Sequence, residues 1–215
     1  MNKIIHNAPD AASEDPEPDS PALIDDSPLD IEASVNDARW QPLCDDILAH
    51  GHFVWQVLGL PACELSLVLD NDAAVHALNR DYRGKDKPTN VLSFPALDFD
   101  QPATAEGFPP PPVLLGDVVM AYETMHDEAA KANISFAAHA QHLLTHGILH
   151  LIGHDHDGAA AADVMERLEV DILARRGIDN PYAAYAADAA DAGDEGDANR
   201  DLHGAINGAI NGERA

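Results

Sequence analysis

His146, His150 and His156 fall within one short run, His146-Gly147-Ile148-Leu149-His150-Leu151-Ile152-Gly153-His154-Asp155-His156. The first two stand four residues apart, about one helical turn, so a helix projects both imidazoles from one face. Gly153 lets the chain leave that helix, because glycine accepts positive φ without steric cost. The resulting turn can swing His156 back toward the first two rings. Three neutral imidazoles converging from a helix and a tight turn describe a zinc site, one ion per chain, with an open fourth position. An open position is what a metal needs to bind and activate water. Scattered surface histidines would not combine the four-residue step, the glycine and the third histidine. His154 lies between the ligands in sequence and is the weaker candidate. His142, one turn before His146 and on the same face, is placed to hydrogen-bond near a ligand. A plain packing role is open to it and to His139.

The spacing matches the H-E-x-x-H-x-x-G-x-x-H pattern of the metzincin proteases, glycine included, but Gly147 occupies the place of their glutamate base. A second group lies upstream. Arg80, Arg83, Lys85 and Lys87 are four of only nine basic residues between positions 31 and 180. Gly84 and Pro88 imply an ordered turn there before a strand. Arginine offers a planar fork of donors suited to phosphate oxygens. A basic turn by itself reads as a solvated loop, and the three histidines move the balance toward phosphate recognition.

The elements that must position these groups follow from apolar periodicity. Leu29 to Val35 and Cys63 to Leu69 read as strands, and Leu43 to Leu58 as a helix stopped by Gly59 and Pro61. Asn71 or Asp72 can cap a helix that turns Val75 and Leu78 inward. Asn90 to Phe94 and Val113 to Met120 are short strands. From Ser135 to about Ile152 the chain is too apolar for a surface helix, which predicts a central one. A last helix, about Ala160 to Arg176, ends at Gly177. Strands come early and helices cluster late, so an α+β fold is expected rather than a doubly wound sheet.

A length of 215 residues suits one domain with extensions, and the net charge of −26 argues against a global attraction for nucleic acid. Residues 1–30 hold eight acids and one lysine, and residues 181–215 hold seven acids and two arginines. The tails therefore carry −7 and −5 and leave −14 of the −26 for the middle. Any RNA must be held by a local basic patch. Residues 1–28 are rich in Pro, Asp, Glu, Ser and Ala and are expected to be disordered. Residues 29–178 form the expected domain, and 179–215 an acidic, low-complexity tail. The prolines Pro109–Pro112 are expected in a surface loop. Cys44 and Cys63 cannot build a disulfide framework and read as small buried hydrophobes. No apolar run approaches a membrane span and no secretory pattern opens the chain, so cytoplasmic residence is expected.

Three blocks carry a resemblance across about residues 29–178. The first is Leu78-Asn79, Tyr82-Arg83-Gly84-Lys85-Asp86 and Pro88-Thr89-Asn90-Val91-Leu92-Ser93-Phe94-Pro95; the second is Leu115-Gly116-Asp117-Val118-Val119. The third is the histidine run, from His142 to His156. In these blocks the chain resembles the YbeY family of rRNA maturation factors, bacterial metal-dependent endoribonucleases. The resemblance implies a zincin-like α+β domain, a small mixed sheet packed with helices around the apolar helix that bears the ligands. It implies a metal held by His146, His150 and His156, and Arg83 as the functional arginine of the cleft. Arg80, Lys85 and Lys87 are the expected substrate-binding cations, and His142 and Asp155 the expected neighbours of the ligands. His154 departs from the family, which often has tyrosine there. The implied reaction is hydrolysis of single-stranded RNA, in 16S rRNA 3′-end maturation and ribosome quality control, with the small ribosomal subunit as partner and DNA not expected. The base stays open among water at the metal, the RNA 2′-hydroxyl and a carboxylate such as Asp155. A zinc peptidase and a non-catalytic ribosome-assembly factor are the competing readings.

Overall fold

A four-stranded mixed sheet supports the helix on which His146 and His150 stand. The computed structural model describes residues 29–96, 113–156 and 158–183. The expected disorder at 1–28, the loop at Pro109–Pro112 and the tail beyond residue 183 lie outside the described residues. The strands are β1 (Leu29–Val35), β2 (Cys63–Asp70), β3 (Val91–Pro95) and β4 (Val113–Ala121), and the helices α1 (Cys44–Leu58), α2 (Asp72–Arg83), α3 (Tyr122–Lys131), α4 (Phe136–Leu151) and α5 (Ala159–Arg175). A 3₁₀ turn, Ala38–Leu43, leads into α1. Strand order is β1-β2-β4-β3, with β1, β2 and β4 parallel and β3 antiparallel to β4. The class is α+β, with a small mixed sheet.

Alternation along the strands sends side chains to two apolar clusters. Leu65, Leu67, Leu69, Val91, Val118 and Met120 join the larger core with Ile47, Val54, Leu143, Leu144 and Ile148 from α1 and α4. Leu92, Val119 and Ala121 face the other way and meet Val75 of α2. Gly116 makes the β3–β4 junction possible. Its φ is 135°, and a Cβ there would lie 2.1 Å from the Phe94 carbonyl oxygen. Leu115 is the extra residue of a bulge at that point, where the register slips against β2.

Ser135 caps α4 by accepting from the Ala138 amide at 3.1 Å, and from His139 to Leu151 the helix is buried except at Gln141 and His150. It packs against α1, α3, α5, β3 and β4. Asn71 caps α2, again through its side chain. Helix α3 was not expected from the sequence. It springs straight from β4 at Ala121 without a side-chain cap, and only Met125 and Ala129 are buried along it. Cys63 is buried as expected, Cys44 only half-buried; both are free thiols.

Candidate metal centre

Two ligand candidates come from α4 and the third from the turn that ends it. The Gly153 amide donates to the His150 carbonyl and the His154 amide to the Leu149 carbonyl, at 3.1 and 3.0 Å. With Gly153 at φ 89°, this is a Schellman motif, which reverses the chain and brings His156 back over the helix end. The Nε2 of His150 then lies 3.1 Å from Nε2 of His146 and 3.2 Å from Nε2 of His156. The three ligand atoms all fall within 4.8 Å of one another. Zinc–nitrogen bonds of about 2.0–2.1 Å at tetrahedral angles set ligand nitrogens roughly 3.3 Å apart, so the donor set fits such an ion.

The tautomer fits as well. Glu169 of α5, 0 % exposed, has Oε1 at 2.7 Å from Nδ1 of His146. An ionised carboxylate can only accept, so His146 carries a proton on Nδ1, and Nε2, facing the other rings, is the nitrogen left to bind a metal. Burial pushes the Glu169 carboxyl up, but the pull of His146 and the hydrogen bonds from His142 and His146 outweigh it and hold the group below the ordinary carboxylate range. Burial, reinforced by the charges of His146 and His156, depresses His150 to about 2. It is therefore a neutral donor of electron pairs at any ordinary pH.

Arg83 closes α2, and Gly84 in the left-handed region turns the chain toward β3. Its Nη2 donates to the Ser93 carbonyl at 2.7 Å, and its Cζ lies 5.6 Å from the Phe94 ring centroid. Ser93 in turn donates from Oγ to the Gly147 carbonyl of α4 at 3.2 Å. A short chain of contacts thus links the arginine to the ligand helix. Burial lowers the Arg83 pKa, and the Asp155 charge opposes that, so Asp155 lies within electrostatic reach. Lys85 is lowered by burial and then by the charges of Lys87 and Arg83. These three form one positive cluster. Arg80 is turned instead to Asp81, at 2.7 Å. Asp155, half-exposed, accepts from the His156 amide. His142 donates to Glu169 at 3.0 Å, while His139 bonds Glu128 at 2.9 Å, away from the ligands. His154 stays outside the three-histidine group among the described residues.

The family model described as "Endoribonuclease YbeY" matches residues 30–177. The chain belongs to the YbeY family. Proteins named Endoribonuclease YbeY include one from Rhodospirillum rubrum, 58 % identical over 56 % of this chain and 58 % of that protein. Others are from Erythrobacter litoralis, 46 % identical over 68 % of this chain and 91 % of that protein, and from Sinorhizobium medicae, 44 % identical over 72 % and 95 %. The match to the first spans less than two thirds of its length, whereas the other two are covered almost throughout.

Two features of this YbeY chain explain what the sequence reading left open or overlooked. A Cβ at Gly147 would sit 3.0 and 3.2 Å from the methyls of Val118 and 3.1 Å from Oγ of Ser93. Position 147 faces the sheet, and close packing excludes a glutamate there. Glu169 and Tyr182 were not foreseen. Glu169 lies on the buried face of α5, four residues after Met165 and three before Ile172. An acid in register with that apolar face was the available signal. Tyr182 falls beyond the expected domain end at residue 178, yet its hydroxyl donates to Oε2 of Glu169.

Proposed function

We propose that this chain is a metal-dependent endoribonuclease acting on single-stranded RNA, with one zinc ion held by His146, His150 and His156. The observation that carries the reading is the convergence of three Nε2 atoms, with that of His150 at 3.1 and 3.2 Å from those of His146 and His156, and with His146 oriented by a buried carboxylate. When bound, the ion supplies positive charge that polarises a phosphodiester oxygen and lowers the pKa of water. All three ligands are neutral, so that charge is not cancelled. Arg83 orients the scissile phosphate. Its fork is steadied at Ser93 and against Phe94, and a cation partly withdrawn from water gains most from an anionic partner. Lys85 and Lys87 hold neighbouring phosphates, with Arg80 at the margin. The zincin-like arrangement, with α4 as the central metal-bearing helix of a domain spanning 29–178, belongs to the same proposal.

The cellular setting we infer is 16S rRNA 3′-end maturation and ribosome quality control on the small subunit, in the cytoplasm. Among the described residues no helix is long and apolar enough to cross a membrane. A peptidase reading loses support because Gly147 has no room for the glutamate base. The test is cleavage of single-stranded rRNA fragments by metal-loaded and metal-stripped protein. Cleavage should vanish on stripping and return with zinc. RNA binding without cleavage in the loaded protein would favour the non-catalytic assembly factor.

A further inference from the structure

We propose that Glu169 and Tyr182 are positioning residues: the carboxylate fixes the tautomer of His146, and the phenol, brought in by the segment after α5, fixes the carboxylate. Glu169 is fully buried between α4 and α5 and accepts three hydrogen bonds. His146 Nδ1 reaches Oε1 at 2.7 Å, His142 Nε2 reaches Oε2 at 3.0 Å, and the Tyr182 hydroxyl also donates to Oε2. A buried carboxylate costs several kcal/mol unless donors surround it, and an apolar side chain would fill the same space without that cost. Its presence is explained by what Oε1 does. It holds the Nδ1 proton of His146 and so turns the Nε2 lone pair toward His150 and His156.

Two donors on Oε2 stop the carboxylate from rotating away. His142 is itself 3 % exposed and braced by the Tyr182 ring, edge-on at 5.5 Å between centroids. Tyr182 arrives after a second Schellman turn, in which the Gly177 amide donates to the Ala174 carbonyl and the Ile178 amide to Leu173. Docking of residues 178–183 is therefore coupled to the ligand geometry of His146. A phenol there does not supply core packing alone, since its oxygen is directed at the carboxylate.

This inference deepens the metal reading and rests on it for the affinity arm alone. The experiment uses the full chain with Glu169→Gln and Tyr182→Phe. The tautomer of His146 is read in metal-free protein from nitrogen-15 NMR, and zinc affinity from competition with a chromophoric chelator. The native protein should show His146 protonated at Nδ1. Glu169→Gln should populate the Nε2-protonated form and weaken zinc binding by about tenfold to a hundredfold. Tyr182→Phe, which keeps the packing volume, should shift both readings the same way, with zinc affinity down by about threefold to tenfold for one lost hydrogen bond. Should Glu169→Gln fail to fold, the phenylalanine variant decides alone. Native tautomer and affinity in Tyr182→Phe would overturn the role of Tyr182, and the same result in a folded Glu169→Gln would overturn that of Glu169. A native protein with the expected tautomer but no zinc binding would sink the metal reading and leave the tautomer control standing.

Discussion

At the scale of single residues, the ligands and their neighbours differ in what their removal should do. His146→Ala, His150→Ala and His156→Ala should each abolish stoichiometric zinc, whereas His154→Ala should retain it; metal analysis of the purified variants checks this. Arg83→Ala should lower the cleavage rate by about a hundredfold or more while metal content stays intact, the usual scale for losing a charged transition-state partner. Arg83→Lys should recover only part, because an ammonium cannot offer two parallel donors. Lys85→Ala and Lys87→Ala should instead weaken RNA binding and flatten its salt dependence. Kinetics with a salt titration separate the two behaviours. His50 sets a pH limit on stability. Its Nε2 donates to Thr145 Oγ1 at 2.8 Å, because that hydroxyl is already spent on the Gln141 carbonyl. Burial, with the nearby Arg176 charge, lowers its pKa from 6.5 to about 4. The unfolded chain binds the proton more readily, so stability is full above about pH 6.5 and falls as pH drops toward 4. The loss amounts to about 3 kcal/mol for this residue. Denaturant titrations between pH 7 and 4 should show a shallower decline in a His50→Gln variant than in the native protein.

At the scale of elements, the contact of α4 with the sheet is the tightest constraint. Gly147→Ala places a methyl 3.0–3.2 Å from Val118 and Ser93, so those side chains must give way by a few tenths of an ångström. The expected cost is about 1–3 kcal/mol, visible as a lower melting temperature. Gly147→Glu should be worse and should confer no peptidase activity, although it completes the protease motif on paper. That example marks how far periodicity reaches. The spacing of His146, His150, Gly153 and His156 encodes a helix, a stop and a reversal, all local events, and these were legible. So was a cap at Asn71 or Asp72, of which Asn71 is the one that caps. Helix α3 was not, because its inward face holds just Met125 and Ala129 and its start has no capping side chain. Glu169 and Tyr182 were not read because they join the site across the fold. Their partners on α4, His146 and His142 for Glu169 and His142 for Tyr182, are distant in sequence, and only packing brings α5 and the segment after it onto α4.

At the scale of the whole molecule, charge and site oppose each other. The chain carries −26, and the RNA-facing cations proposed here are a handful near Arg83. Residues 1–28 and 184–215, outside the described residues, carry −6 and −5 of that charge, and they repel phosphate at low ionic strength. A protein trimmed to 29–183 should keep fold, zinc and cleavage. Its RNA affinity at low salt should equal or exceed that of the full chain, and the two should converge as salt is added. Binding curves across a salt series check it, and weaker binding by the trimmed protein would reveal a contact made by a tail. Cutting at residue 180 should behave differently, since it removes Tyr182.

The reversal at Gly153 also bears on time. Two of the three imidazoles ride on α4, but His156 is held by a turn secured through two backbone hydrogen bonds, donated by the amides of Gly153 and His154. Helix ends open far more often than helix middles. An ion in this site would therefore leave in stages, losing His156 as the turn frays while His146 and His150 keep their grip. The dwell time of the metal is then governed by how often a helix end comes undone, and an excess of competing chelator could strip it no faster than that.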